Sequence, residues 1–123
     1  MASTTLEVTG VQHVSINVTD LDRAKSFYLD KLGLTVLPRP ELRVEGVWLS
    51  AGEQEVHLVV SDDTTRTPGQ HFAFGVTDLD GTMARLQGMD IKVSDPIEVP
   101  NGARQCFIKD TEGNLLEFNQ PPS

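Results

Sequence analysis

The chain has one cysteine, Cys106, one tryptophan and one tyrosine. A lone thiol excludes an internal disulfide and fits a reducing compartment, with the cytoplasm as the expected location. Basic residues are scarce: ten Lys and Arg against eighteen Asp and Glu leave a net charge of -8. Phosphate neutralisation needs clustered Lys and Arg, so no nucleic-acid partner is expected. No apolar run approaches the roughly 18 residues of a membrane span, so no membrane partner is expected either. The opening stretch MASTTLEVTG has neither a basic region nor an apolar core, and does not read as a secretory signal. The Asn17-Val18-Thr19 sequon therefore carries no weight. What remains, 38% hydrophobic and 23% charged over 123 residues, is the composition of one globular domain or of two small halves sharing a core.

Histidine is also rare, and its three copies are not scattered. VQHVSINVTDLD (11–22) returns as GQHFAFGVTDLD (69–80), which lays His13 on His71 at a shift of 58. A shift of 60 lays EVHLVV (55–60) on LLEFNQ (115–120), with His57 over Glu117. Both halves start and end alike, which signals an internal duplication, with repeats 11–60 and 69–120 making one domain over 1–123. The polar stretch SDDTTRTPGQ is the hinge between them.

Each half reads β-α-β-β-β, an α+β fold. HVSINV alternates and is rich in β-branched residues, so it predicts a strand. Thr19 or Asp20 can cap a helix that carries Leu21, Ala24, Phe27, Tyr28 and Leu32 on one stripe and stops at Gly33. LTVLP, VEGVWLS and EVHLVV follow as strands. The second half gives HFAFGV, a helix with Leu79, Met83 and Leu86 inward, then IKVS, GARQCFIK and LLEFN as strands. DTEGN forms the last turn, with Gly113 in the left-handed position.

The period of two along each strand sorts the side chains by face. His13, Ser15 and Asn17 share one face of the first strand, and His71, Ala73 and Gly75 share one face of its repeat. On the closing strands Glu55, His57 and Val59 oppose an apolar face, and so do Leu115, Glu117 and Asn119. The apolar faces belong under the helices. His13, His57, His71 and Glu117 all fall on the other kind of face, and would converge if the halves paired their sheets about a pseudo-twofold. Imidazole and carboxylate are the usual ligands of divalent Fe, Ni, Zn and Mn, so these four are candidate metal ligands.

HVSINVTDLDRAKSFYLDKLGL, HFAFGVTDLD and IKDTEGNLLEF together give the chain, over roughly residues 11–120, a resemblance to the vicinal oxygen chelate superfamily of glyoxalase I, bleomycin resistance proteins, fosfomycin resistance proteins, methylmalonyl-CoA epimerase and extradiol dioxygenases. The resemblance implies two βαβββ modules forming an incomplete barrel around a divalent metal that chelates substrate through adjacent oxygens. It places the ligand positions on His13, His57, His71 and Glu117. It also implies a homodimer in which modules of two chains complete each site. One departure stands out. Where this chain has His57, bacterial glyoxalases carry a glutamate, epimerases a glutamine, and dioxygenases no ligand. With His57 bound the site is His3Glu; with His57 aside it is the two-His-one-carboxylate triad suited to Fe(II) and oxygen.

Further candidates follow from hairpin pairing. The hairpin closed by AGEQ sets Trp48 opposite His57, as a wall of the pocket. Its counterpart sets Ile108 opposite Glu117, which brings Arg104 and Cys106 to the cleft, Arg104 to hold a carbonyl or anionic oxygen and Cys106 as a small buried filler. Three functions follow. In a lyase or isomerase acting on a small carbonyl or hydroxy-carbonyl substrate, Glu117 is the carboxylate left to act as catalytic base. In an extradiol-type dioxygenase His13, His71 and Glu117 hold Fe(II). A metal-free module would sequester a drug or metabolite in an acidic dimer cleft. A thiol transferase is also compatible with the resemblance. The lyase or isomerase reading leads.

Overall fold

The computed structural model describes residues 5–123. Its elements run β1 (His13–Val18), α1 (Leu21–Ser26) continued by a π-helical turn (Phe27–Lys31), β2 (Thr35–Leu37), β3 (Gly46–Ala51) and β4 (Gln54–Val60). The second half follows with β5 (His71–Gly75), α2 (Leu79–Gly88), β6 (Ile97–Glu98), β7 (Arg104–Lys109) and β8 (Leu115–Gln120). The strands form two four-stranded sheets of matching order, β1-β4-β3-β2 and β5-β8-β7-β6, each with one parallel pair at the first strand. These are open sheets, not a closed barrel.

The local signals act as the chemistry requires. Asp20 and Asp78 cap the two helices, their carboxylates accepting the backbone N–H of Arg23 and Gly81. Gly33 and Gly113 take positive φ where the chain leaves the first helix and turns into β8. The π-helical turn widens the end of α1 and sends both Phe27 and Tyr28 into the interior. Val18, Leu49, Leu58, Leu79, Leu116 and Cys106 are fully buried with them, and a single apolar cluster spans both halves. Cys106 is thus a core filler.

Polar bonds tie the halves together. The buried Tyr28 hydroxyl donates to Asp110 Oδ2 at 2.7 Å, across the two halves. Burial, and then the Asp110 charge, push the phenol far above its ordinary pKa. In the same turn, Glu112 accepts the backbone N–H groups of Thr19 and Asp20 and the Thr19 hydroxyl, at 2.8–2.9 Å for the shorter contacts.

Two sequence expectations need correction here. IKVS is not a strand: the ladder of β6 is confined to Ile97–Glu98. Pro96 has no N–H to give, and the Ser94 hydroxyl accepts the Phe107 N–H at 2.9 Å in place of a backbone carbonyl. The register of the β7–β8 hairpin is also one residue off, with Phe107 rather than Ile108 opposite Glu117. The first hairpin turns between Ala51 and Gln54, whereas the second turns between Lys109 and Leu115 and holds one residue more than the repeat predicts. A slip of one residue exchanges the faces.

Candidate metal centre

The face opposite the helices carries all four predicted ligands. Among the described residues, however, no three or more His, Cys, Asp or Glu side chains gather closely enough to hold a metal ion. The four stand as two pairs, one on each sheet.

In the C-terminal pair, His71 Nε2 lies 2.9 Å from Glu117 Oε1. The other ring nitrogen, Nδ1, lies 2.7 Å from the Gly69 carbonyl oxygen, which can only accept. Both nitrogens of His71 therefore face acceptors. The Gly69 carbonyl first, and Glu117 after it, raise the His71 pKa against the opposing effect of partial burial. Glu117 is 7% exposed, and its other oxygen accepts the Asn119 amide at 2.8 Å. Phe107 meets the His71 ring edge-on at 5.2 Å.

His71 and Glu117 are two donors of the kind a divalent metal takes, and two alone do not complete a site. Two donors bound at roughly 2.1 Å and at right angles stand about 3.0 Å apart, close to the His71–Glu117 separation. An Nδ1–H donated to a backbone carbonyl is also the usual way a ligating histidine is oriented. The cation would take the place of the proton between Nε2 and the carboxylate.

The N-terminal pair is arranged differently. His57, 8% exposed, is sandwiched: Trp48 stacks on it at 4.6 Å and 11°, and His13 stacks at 4.0 Å and 15°. Trp48 thus faces His57 across β3 and β4, as the hairpin pairing predicts. His57 Nε2 is bonded to Glu55 Oε1 at 2.8 Å. His13 Nδ1 is bonded to the Gln12 side-chain oxygen. An imidazole offers its lone pair in the ring plane, so two nearly parallel rings 4.0 Å apart cannot share one ion as they stand.

Arg104 is not on this face. The corrected register turns it, with Cys106 and Ile108, to the opposite side, where it pairs with Asp80 at 3.0 Å and Glu98 at 2.8 Å. Phe107 and Gln105 occupy the cleft positions assigned to Ile108 and Arg104. Glu55 is a participant that the sequence reading placed on the right face and did not single out. The signal was available in its period-two relation to His57 and its place opposite His13.

Two cavities flank the seam between β1 and β5. One of about 510 Å³ is lined by Arg66, His71, Lys109, Ser15 and Asn17 among others, with no Asp or Glu, in a chain of net charge -8. The other, about 730 Å³, is largely apolar and reaches His13, Glu55, Phe72 and Phe74.

A fold of paired βαβββ units has clear relatives. The sequence pattern of the Glyoxalase/Bleomycin resistance protein/Dioxygenase superfamily matches residues 10–118, and the chain belongs to that family. A Bacillus anthracis structure assigned to the glyoxalase family is 26% identical, with a TM-score of 0.86 over 95% of this chain and 98% of that one. Lactoylglutathione lyase from Agrobacterium tumefaciens is 25% identical, with a TM-score of 0.76 over 92% and 94%. The antibiotic binding protein TnmS3 from a Streptomyces species is 27% identical, with a TM-score of 0.78 over 95% and 99%. No helix among the described residues is long and apolar enough to cross a membrane.

Proposed function

We propose that the protein is a metal-dependent lyase or isomerase of the vicinal oxygen chelate type, acting on a small carbonyl or hydroxy-carbonyl substrate. The observation that carries this is the His71–Glu117 pair on the open face, an imidazole nitrogen and a carboxylate oxygen 2.9 Å apart with the other ring nitrogen held by a backbone carbonyl. Two copies of the chain build each site. One contributes His13, with His57 on β4 at or beside the metal. The other contributes His71 and Glu117. This accounts for two half-complete pairs in one chain.

The metal supplies charge stabilisation for two adjacent substrate oxygens. The chain's own residues do the rest. Glu117 takes the proton from the carbon beside the carbonyl and returns it to the neighbouring carbon. The Asn119 amide holds its second oxygen, and Trp48 and Phe107 wall the two pairs. Arg66 and Lys109 give the cavity beside His71 a cationic lining for the electron-rich end of a substrate.

The test is anaerobic loading with Fe(II), Ni(II), Mn(II) and Zn(II), then solvent deuterium incorporation into hydroxy-carbonyl compounds and the methylglyoxal–glutathione hemithioacetal, read by NMR. One metal per chain with deuterium beside the carbonyl is the expected result. Oxygen uptake with a catechol and Fe(II), in place of exchange, moves the assignment to the dioxygenase reading. A second reading, metal-free sequestration, is favoured by the largely apolar 730 Å³ cavity and by the likeness to TnmS3. Failure to bind any metal, with micromolar binding of a cationic drug, establishes that reading instead.

A further inference from the structure

We infer that the 510 Å³ cavity beside His71 is an anion-binding subsite, and that the substrate carries a phosphate or carboxylate group a few bonds from its reacting oxygens. That the anion belongs to a substrate rests on the function proposed above; that the cavity takes an anion does not.

The charge at this cavity runs against that of the chain. Eighteen Asp and Glu are spread over 123 residues, yet none lines it, whereas Arg66, Lys109 and His71 do. Salt screens exposed charges beyond about 8 Å at physiological ionic strength, so an arriving anion feels this lining more than the remote carboxylates.

The two cations are also unpaired. Ion pairs among the described residues are confined to His57, His71 and Arg104. Lys109 makes neither an ion pair nor a side-chain hydrogen bond with the described residues. Arg66 touches only backbone carbonyls: Nη1 donates to Thr65 at 3.3 Å, and Nη2 to Asn17 and Glu112 at 3.4 Å. These long contacts fix the guanidinium between β1, the hinge and the β7–β8 turn without neutralising it. The carboxylates that feel its charge, Asp63 and Glu112, are held by other donors: the Thr65 N–H, and the N–H groups of Thr19 and Asp20.

Neutral donors complete the lining. The Ser15 and Thr67 hydroxyls and the Gln70 amide have no hydrogen-bond partner among the described residues. A lining of cations and unpaired donors, with no carboxylate, favours a ligand group that brings charge and several acceptor oxygens together.

The sheet sets where that group lies. Lys109 stands opposite Leu115 across β7 and β8, and Leu115 stands opposite His71 across β8 and β5. The three form a row on the open face, with Lys109 two strand spacings, about 10 Å, from His71. Its long flexible stem shortens that gap. Glu117 is one pleat along β8 from Leu115, roughly 7 Å. An anion held in this cavity is therefore a few bonds away from oxygens held at His71 and Glu117.

The test starts from chelator-treated protein, so that no metal can hold the probes. Amide NMR spectra follow titration with dihydroxyacetone phosphate against dihydroxyacetone, and with levulinate against butanone. The expected result is that at least one anionic probe binds ten or more times tighter than its neutral counterpart. That binding weakens as sodium chloride is raised and shifts the amides of Gln70, His71 and Leu115. Whichever anionic probe shows the larger gain identifies the group. Lys109→Gln and Arg66→Gln each lower the affinity about tenfold, the scale of a charge-assisted hydrogen bond. Arg85→Gln, the same charge change at an exposed position of α2, leaves it unchanged. Circular dichroism confirms folding, and the exposed Lys109 decides the matter if Arg66→Gln unfolds. Anionic probes that bind no tighter than their neutral counterparts overturn the inference. So does a folded Lys109→Gln with wild-type affinity, or shifts confined to another face. The proposed function fails separately, if the metal-loaded protein exchanges no deuterium into dihydroxyacetone or its phosphate while the metal-free protein still binds the anion.

Discussion

The two half-sites occupy matching places on matching sheets, and each joins an imidazole Nε2 to a carboxylate, yet they differ in what else holds the ring. In the C-terminal half His71 touches two acceptors and its carboxylate partner is almost fully buried. In the N-terminal half His57 touches one acceptor, is covered on both faces, and has a partner that remains partly exposed. His71 is held at both nitrogens in the plane of its ring, and His57 at one nitrogen and by the rings stacked on its two faces. A shared sheet order thus keeps the places and lets the neighbours decide how each ring is held.

The comparison can be broken most severely at Glu117. Glu117→Gln is expected to cut solvent-exchange turnover by a hundredfold to ten-thousandfold, the usual contribution of a positioned base. It should also lower the His71 pKa in the metal-free protein, as followed by NMR titration, although the Gly69 carbonyl keeps part of the elevation. The corresponding change in the N-terminal half, His57→Leu, should leave turnover far closer to wild type.

A stability measurement sharpens the contrast next. Trp48→Ala uncovers one face of His57 and should cost about 2 kcal/mol in urea denaturation, with the half-buried indole at the low end of such truncations. Tyr28→Phe tests the link between halves. Asp110 keeps the Asn114 amide and two backbone N–H donors when the phenol is lost, so about 1–2 kcal/mol is expected.

The clamp at Glu112 gives a smaller, pH-dependent effect. Burial opposes its ionisation, but the N–H groups of Asp20 and Thr19, the Thr19 hydroxyl and Arg66 together hold the carboxyl below its ordinary range. A lowered folded pKa stabilises above the unfolded value, and that contribution is lost as pH falls through the folded value. Glu112→Gln should therefore cost about 1 kcal/mol at pH 7, allowing for partial exposure, and the two proteins should converge as pH falls through the lowered folded value. Melting temperatures measured from pH 3 to pH 7 check this. Arg104→Ala lies at the bottom of the scale: it sits off the cleft face and should change neither metal affinity nor turnover.

Much of this was legible before any coordinates. Alternation in HVSINV, the Asp20 cap, the glycines at 33 and 113 and the pairing of Trp48 with His57 all follow from local chemistry, and the structure repeats them. The failures share one cause. Repeat arithmetic assumes that turns keep their length, and one added residue before Leu115 put Phe107 where Ile108 was expected and turned Arg104 away. Pro96 and the Ser94 hydroxyl truncated a strand that alternation alone would have continued. Glu55 escaped notice because sequence periodicity assigns a face, whereas which polar neighbours on that face meet depends on how their side chains lie, as in the bond from Glu55 to His57.

The bond from Tyr28 to Asp110 has a consequence for the handling of the chain. The two halves share one sheet order, but a phenol from one ends inside the turn of the other. Expressed alone, the first half would leave that hydroxyl orphaned in oil, and the second would lose the donor that steadies the approach to Glu117. Cutting the backbone at the Pro68-Gly69 hinge should instead yield fragments that reassemble only with each other, two halves alike in outline that fit as complements.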